Sequence, residues 1–168
     1  GGRCYGLVGP GYTSAEVVAD RLLDGVAEFG EADLSTKLKL LGVDVASFGD
    51  AMGATENCLE VAVNDAVNRT YAKLVLSDDA KTLLGGVLVG DASSYGVLRP
   101  MVGSELPGDP LALIAPAQSG GAAALGVGAL PDSAQICSCN NVTKGDLKCA
   151  IADGCADVPS LKSCTLAG

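Results

Sequence analysis

Apolar positions recur with two different periods along the chain, and the change of period divides it. Between residues 12 and 25, Ala15, Val18, Ala19 and Leu22 fall on one helical stripe. Thr13 and Glu16 stand in the S/T-x-x-E order of a capping box, Tyr12 and Val17 are spaced as a hydrophobic staple, and Gly25 supplies a stop, so a helix is predicted over 12–25. From Lys37 the period becomes two. Leu38, Leu40, Val43 and Val45 predict one strand with an irregularity at Gly42, and Leu59, Val61 and Val63, alternating with Glu60 and Ala62, predict a second. The run N-D-A-V-N-R (64–69) turns the chain into a third strand over 70–76. S-D-D-A-K follows as a loop, and a fourth strand over 83–89 carries Gly85-Gly86 as a bulge or a point of close packing. Short connections predict an antiparallel meander. Asp91 is placed to N-cap a short helix over 93–99 that stops near Pro100. The fold class expected is therefore α+β, an antiparallel sheet with a helix on one face.

Residues 117–131 are small and nearly uncharged and read as a linker. Beyond them the helical period returns. Thr143 and Asp146 make a second capping box, Val142 and Leu147 are spaced as its staple, and Leu147 and Ile151 share a face up to Gly154. Pro159 suits the first turn of another short helix carrying Leu161 and Leu166. The organisation expected is a one-helix segment over 1–35, an α+β domain over 36–116, the Gly/Ala-rich linker over 117–131 and a small helical unit over 132–168.

Apolar residues make up 48% of the 168, but aromatics only 4% with no Trp, so the core must be built from Val, Leu and Ala. The net charge of -9 opposes binding to nucleic acid phosphates or to an anionic membrane surface. The acidic excess lies before residue 130, with 16 Asp+Glu against 8 Lys+Arg. No apolar run reaches membrane-span length, and G-G-R-C-Y-G-L-V-G-P-G lacks the apolar stretch of a secretion signal, so a cytoplasmic location is expected. Histidine is absent, which excludes Ser-His and Cys-His catalytic arrangements and any imidazole ligand.

Five of the seven cysteines fall within the last 32 residues. Clustering of this kind suits metal or redox chemistry better than a secreted disulfide scaffold. Cys137 and Cys139, one residue apart and just ahead of a capped helix, could both reach one iron–sulfur cluster, with the helix N–H dipoles supporting the anionic sulfurs. Two buried or unpaired thiols explain an isolated C-x-C equally well. Cys149, between Leu147 and Ile151, reads as a small packed hydrophobe. Neither Cys149 nor Cys155 makes the C-x2-C spacing of zinc or cluster ligands.

The run C-S-C-N-N-V-T-K-G-D-L, followed by A-I-A-D-G-C and L-K-S-C-T-L-A-G, resembles the bacterioferritin-associated-ferredoxin-like [2Fe–2S] domain. In that family a T-G-C-G-G-C segment follows and supplies the second ligand pair. The resemblance implies Cys137 and Cys139 as half of a [2Fe–2S] site whose other ligands lie beyond Gly168, and it gives Cys149, Cys155 and Cys164 no ligand role. Upstream, Y-G-L-V-G-P-G-Y-T-S-A-E-V-V-A-D-R-L, S-T-K-L-K-L-L-G-V-D-V-A-S-F-G-D, Y-A-K-L-V-L-S-D-D-A-K-T-L-L-G-G-V-L-V-G-D and L-P-G-D-P-L-A-L-I resemble the large subunit of NAD(P)H-dependent assimilatory nitrite reductase. The resemblance covers most of 4–116 and 135–168.

It implies a middle segment: the end of the FAD/NAD reductase module, its C-terminal interface domain and a truncated ferredoxin-like domain. Electrons would pass from NAD(P)H through FAD and the [2Fe–2S] centre toward a sirohaem/[4Fe–4S] module that reduces nitrite to ammonia. The helix beginning at Thr13 would aim its positive end at the flavin, making Gly11, Tyr12 and Thr13 flavin neighbours. The segment by itself is expected to hold no cofactor and to be inactive, with the remainder of the reductase chain as its partner and a homodimer as a possible assembly. Two alternatives differ in class: an electron-transfer flavoprotein subunit of an assimilatory nitrate reductase, and a purely structural dimerisation or docking module. G-P-G-Y-T-S (9–14) departs from a dinucleotide fingerprint. Phe48-Gly49-Asp50, which imitates a flavin-site Gly-Asp, reads as a turn.

Overall fold

The computed structural model describes residues 4–30, 32–115, 126–137 and 140–168. The chain divides into two compact units, Gly1–Leu34 and Ser35–Gly168.

The first unit is one helix with a tail. Helix α1 spans Val8–Leu22, four residues earlier at its start than the capping-box pattern predicts. Leu7 is the extended N-cap residue and no side chain caps it. Thr13 and Ser14 lie inside the helix, their hydroxyls donating back to the carbonyls of Gly9 (3.4 Å) and Pro10 (2.8 Å). The Thr13–Glu16 box is therefore not formed. Pro10 falls in the first turn, where a missing N–H is harmless, and this allows the early start. The helix ends through Asp24 in the left-handed region (φ 60°) with Gly25 N–H donating to the Asp20 carbonyl at 2.8 Å. Tyr5, ahead of the helix, and Phe29, in the tail, meet ring to ring at 5.8 Å. Val8, Tyr12, Val18, Leu22, Leu23 and Val26 are exposed.

The second unit is α+β, as expected, but its sheet is not a simple meander. Five antiparallel strands, β1 (Thr36–Leu40), β2 (Val43–Gly49), β3 (Leu59–Asp65), β4 (Thr70–Leu76) and β5 (Leu83–Gly90), stand in the order β1-β2-β5-β4-β3. The apolar alternation around Gly42 belongs to two strands rather than one. Leu41 (φ 50°) and Gly42 (φ 86°) form a two-residue turn between Leu40 and Val43, with both residues left-handed as a type I′ hairpin requires. β5 takes the centre because it has no polar side chain and three glycines, so it tolerates burial on both faces. The β2–β3 connection crosses to the far edge through a loop held by Asp50. Its carboxylate accepts from Ala54 N–H (2.8 Å), Thr55 N–H (2.7 Å) and the Thr55 hydroxyl (2.7 Å). Phe48-Gly49-Asp50 is thus a strand end and a turn, with Phe48 in the core.

Gly85 and Gly86 serve both predicted purposes. The β4–β5 register shifts beside Gly85, and a Cβ on Gly86 would lie 2.6 Å from the Lys73 carbonyl and 2.7 Å from Phe48 Cζ. Over this close-packed strip sit helix α2 (Tyr95–Leu98), a 3-10 turn Arg99–Met101 and helix α3 (Pro110–Ile114). Asp91 does not cap α2. Its carboxylate turns the chain ahead of the helix by accepting from Ser93 N–H at 2.9 Å, and Ser94 is the N-cap residue. The helical path runs through Pro100 to Met101 because Pro suits the first turn of the 3-10 segment. Helix α3, capped by Asp109 with Pro110 behind it, has a legible start signal that the strand-and-loop reading passed over.

Phe48 packs edge-on to Tyr95 (6.0 Å), and Leu74, Leu83, Leu88, Leu98 and Met101 fill the space around them. Leu130 and Ala134 join the same core. Of the stretch read as a linker, 117–125 lie outside the described residues, while Val127–Ala129 make a 3-10 turn and Leu130 is buried. Lys37 reaches across from β1, donating to the Ala92 carbonyl at 3.1 Å and lying over the Tyr95 ring at 5.9 Å. Among the described residues no helix is long and apolar enough to cross a membrane.

Candidate functional site

Strand β6 (Gln135–Cys137) carries the first predicted ligand and pairs antiparallel with β7 (Val142–Thr143), Cys137 opposite Val142. Ahead of β7, Asn141 takes a left-handed conformation (φ 52°). Cys137 is half-buried at the strand end, and Val142 is buried. Cys139 lies outside the described residues.

Helix α4 (Lys144–Ala152) starts directly from β7, and the predicted capping box is formed. Thr143 N–H donates to Asp146 Oδ2 at 2.8 Å, and Asp146 N–H donates back to Thr143 Oγ1 at 3.2 Å. Bonds from the Thr143 N–H and hydroxyl hold the Asp146 carboxyl below its ordinary value. The two N–H groups ahead of Asp146 are also used, Lys144 N–H on the Ala134 carbonyl (2.8 Å) and Gly145 N–H on the Asp132 carbonyl (2.7 Å). These donors anchor α4 to the segment before β6. The anchor is reinforced by Lys148 and Asp132 at 2.7 Å, and by the Lys144 ammonium on the Leu130 carbonyl at 2.6 Å.

Polar contacts brace the hairpin from two sides. Gln135 amide donates to Asn141 Oδ1 at 2.6 Å, and the Arg99 guanidinium reaches Gln135 Oε1 at 3.4 Å. Asn140 Nδ2 donates to the Leu166 carbonyl at 2.6 Å, tying the turn to the end of helix α5 (Val158–Thr165). None of these partners is recognisable by spacing, since each bond joins residues distant in sequence or turn-specific in geometry.

The remaining cysteines do not complete a ligand set around Cys137. Cys149 is exposed on α4 rather than packed, because it points away from the face that Leu147 half-buries. Cys155 and Cys164 are joined to each other by a disulfide. Among the described residues no group of three or more His, Cys, Asp or Glu could hold a metal ion. Among the described residues the donor placed at this hairpin is the Cys137 thiol, at the end of β6. That fits one arm of an all-thiolate cluster loop.

Gly11, Tyr12 and Thr13 are all exposed on α1, in its interior rather than at its start. The positive end of this helix lies at Leu7 and Val8, which corrects the expectation that Thr13 marks it.

Residues 35–105, which span the whole five-stranded sheet, match the family of the rubredoxin NAD+ reductase C-terminal domain. The sheet unit is thus similar to a reductase C-terminal domain of that kind. Along nearly its full length the chain is also related to one segment of the large subunit of NAD(P)H nitrite reductase. It is 53% identical over 169 residues (99% of the chain) to the nitrite reductase (NADH) large subunit of Escherichia coli. It is 52% identical over 168 residues (98% of the chain) to the nitrite reductase [NAD(P)H] large subunit of Klebsiella oxytoca. A third relative, 30% identical over 174 residues (99% of the chain), is the assimilatory nitrate reductase electron transfer subunit of Bacillus subtilis. The chain spans only 20%, 18% and 21% of these three proteins.

Proposed function

We propose that this chain is the electron-relay segment of an NAD(P)H nitrite reductase, linking its flavin module to its sirohaem module. The observation that carries the reading is the identity of 52–53% across nearly the whole chain, from α1 through the Cys137 hairpin to α5. A [2Fe–2S] cluster held there would supply one-electron transfer between FAD and sirohaem. Cys137 and Cys139 would be two of its four thiolate ligands, with the other pair contributed from beyond Gly168. This chain's own residues do three things for that site. The β6–β7 pair presents Cys137 at a strand end. The Thr143–Asp146 box and the bonds of Lys144 and Gly145 fix the downstream helix, so the turn cannot slide. Asn140 and Gln135 hold the turn from opposite sides.

The sheet domain carries the hairpin as a rigid platform, since Leu130 and Ala134 are part of its core. Gly11, Tyr12 and Thr13, exposed on one stretch of α1, are available to the FAD module of the intact enzyme. The isolated segment is inactive in this reading, lacking the nicotinamide pocket and the sirohaem module. The second reading, an electron-transfer subunit serving a nitrate reductase, draws on the Bacillus subtilis relative at 30% identity.

The test extends the chain through the C-G-G-C segment and reconstitutes it anaerobically with iron and sulfide. A [2Fe–2S] visible spectrum that is lost in Cys137→Ser supports the relay. A colourless product, or a spectrum indifferent to Cys137→Ser, overturns it. Reduction of nitrite to ammonia by the intact enzyme with NAD(P)H separates the first reading from the second.

A further inference from the structure

The C-terminal helix pair is held together without a core. Neither α4 nor α5 buries a residue, and both depend on capping boxes, Thr143–Asp146 and Asp157–Ser160. A two-helix unit this small does not bury enough apolar surface to be stable without a staple. Cys155 sits just past the end of α4, where Cys155 N–H donates to the Ala150 carbonyl at 3.0 Å and Gly154 (φ 105°) makes the reversal. It is 9% exposed and bonded to Cys164, which is exposed in the last turn of α5. The disulfide opens onto a hollow of about 550 Å³ lined by Asn140, Asn141, Asp146, Cys149, Cys155 and Cys164. The hollow therefore contains the covalent tie, a third thiol, and the side chain of Asn140 that grips Leu166.

We propose that Cys155 and Cys164 form a thiol–disulfide exchange site, open to a dithiol reductant, whose redox state decides whether α5 and Leu166 stay braced against the Cys137 hairpin. The exposed sulfur of Cys164 takes the attack. One thiolate of the reductant bonds to Cys164 Sγ, and Cys155 leaves as the thiolate and takes up a proton. The second thiol of the reductant then loses its proton and closes on the first, releasing Cys164 and leaving the reductant as its own disulfide. Two electrons pass, and no other reactant is needed. With the nine-residue link opened, α5 is held by its capping box, the Asn140 contact and its shallow packing on α4, with no fully buried residue of its own. The inference rests on the helix pair alone and stands apart from the electron-relay reading.

The experiment uses the whole 168-residue chain. Tryptic mapping without reductant is expected to give peptide 149–162 linked to peptide 163–168, with the link retained in Cys149→Ser. Amide hydrogen exchange is then followed with and without dithiothreitol. Reduction should speed exchange in α5 on the order of a hundredfold, the loop-closure entropy of a short bridge, and leave β4 and β5 unchanged. Cys164→Ser and Cys155→Ser should each give the fast α5 exchange in both conditions, with β4–β5 protection showing that the sheet still folds. Absence of the linked peptides in Cys149→Ser, or α5 exchange that is the same before and after reduction, overturns the proposal.

Discussion

Gly86 is a position in the core where the fold leaves no room for a β-carbon, and one methyl group should expose it. A Cβ there would stand 2.6 Å from the Lys73 carbonyl, 2.7 Å from Phe48 Cζ and 3.1 Å from Leu74 Cδ2. Phe48 and Leu74 are 1% and 0% exposed, so neither can swing into solvent, and the carbonyl belongs to a central strand. Overpacking of this kind costs about 1–3 kcal/mol. With a urea dependence of about 1–3 kcal/mol/M for a domain of this size, Gly86→Ala should lower the unfolding midpoint by roughly 1 M. The paired measurement is Gly96→Ala in α2, where no atom lies within 4 Å. There the same methyl adds helix propensity and restricts the unfolded chain, worth up to about 1 kcal/mol in the stabilising direction. Far-UV circular dichroism against urea measures both. Opposite signs are expected. If Gly86→Ala leaves the midpoint unmoved, or if both variants shift it alike, the close packing of β5 against Phe48 is not what limits this position.

Leu41→Asn should raise the urea midpoint, since Leu41 holds φ 50° in the β1–β2 turn while 96% exposed, and the short amide of Asn, by bonding locally to the backbone, offsets part of the about 1–2 kcal/mol that a left-handed residue with a β-carbon costs. A lower midpoint would refute the type I′ assignment. The pH dependence of the melting temperature should fall at both ends. The carboxyls of Asp50, Asp146 and Asp157 are held below the ordinary 3.8, chiefly by backbone N–H bonds from Ala54, Thr143 and Ser160. Their contribution is present above 3.8 and lost as pH drops below it through the folded values. Lys73 is raised above 10.5 by its bond to Glu60, so that contribution is intact below 10.5 and lost as pH climbs through the folded value. A melting temperature flat from pH 2 to 5, on the order of the carboxyl range, would contradict the acid arm.

The contrast between sequence and fold is sharpest at the two capping boxes. Thr143–Asp146 and Thr13–Glu16 share one pattern, yet only the first forms. Thr143 follows a strand whose partner fixes its extended backbone. Thr13 has helical residues on both sides, and Pro10 lets the helix begin earlier. The same local ambiguity hid the Leu41-Gly42 hairpin, because apolar alternation continues through a two-residue turn. It also concealed the position of β5 between β2 and β4, which depends on which strand tolerates two buried faces.

By itself the sequence determined the α+β class, the strands over 70–76 and 83–89, the alternating strand from Leu59 to Val63 (Asn64 and Asp65, read as turn, extend it as β3), the cap and stop of α4, and the special spacing of Cys137 and Cys139. These are properties of residues within a few positions of one another, where periodicity, capping and turn chemistry act directly. Only the tertiary structure decided the strand order, the entry of Leu130 and Ala134 into the sheet's core, the grip of Asn140 on Leu166 and the bond between Cys155 and Cys164. Each of those joins groups whose meeting depends on how whole elements pack, and no local pattern encodes the direction in which a helix returns.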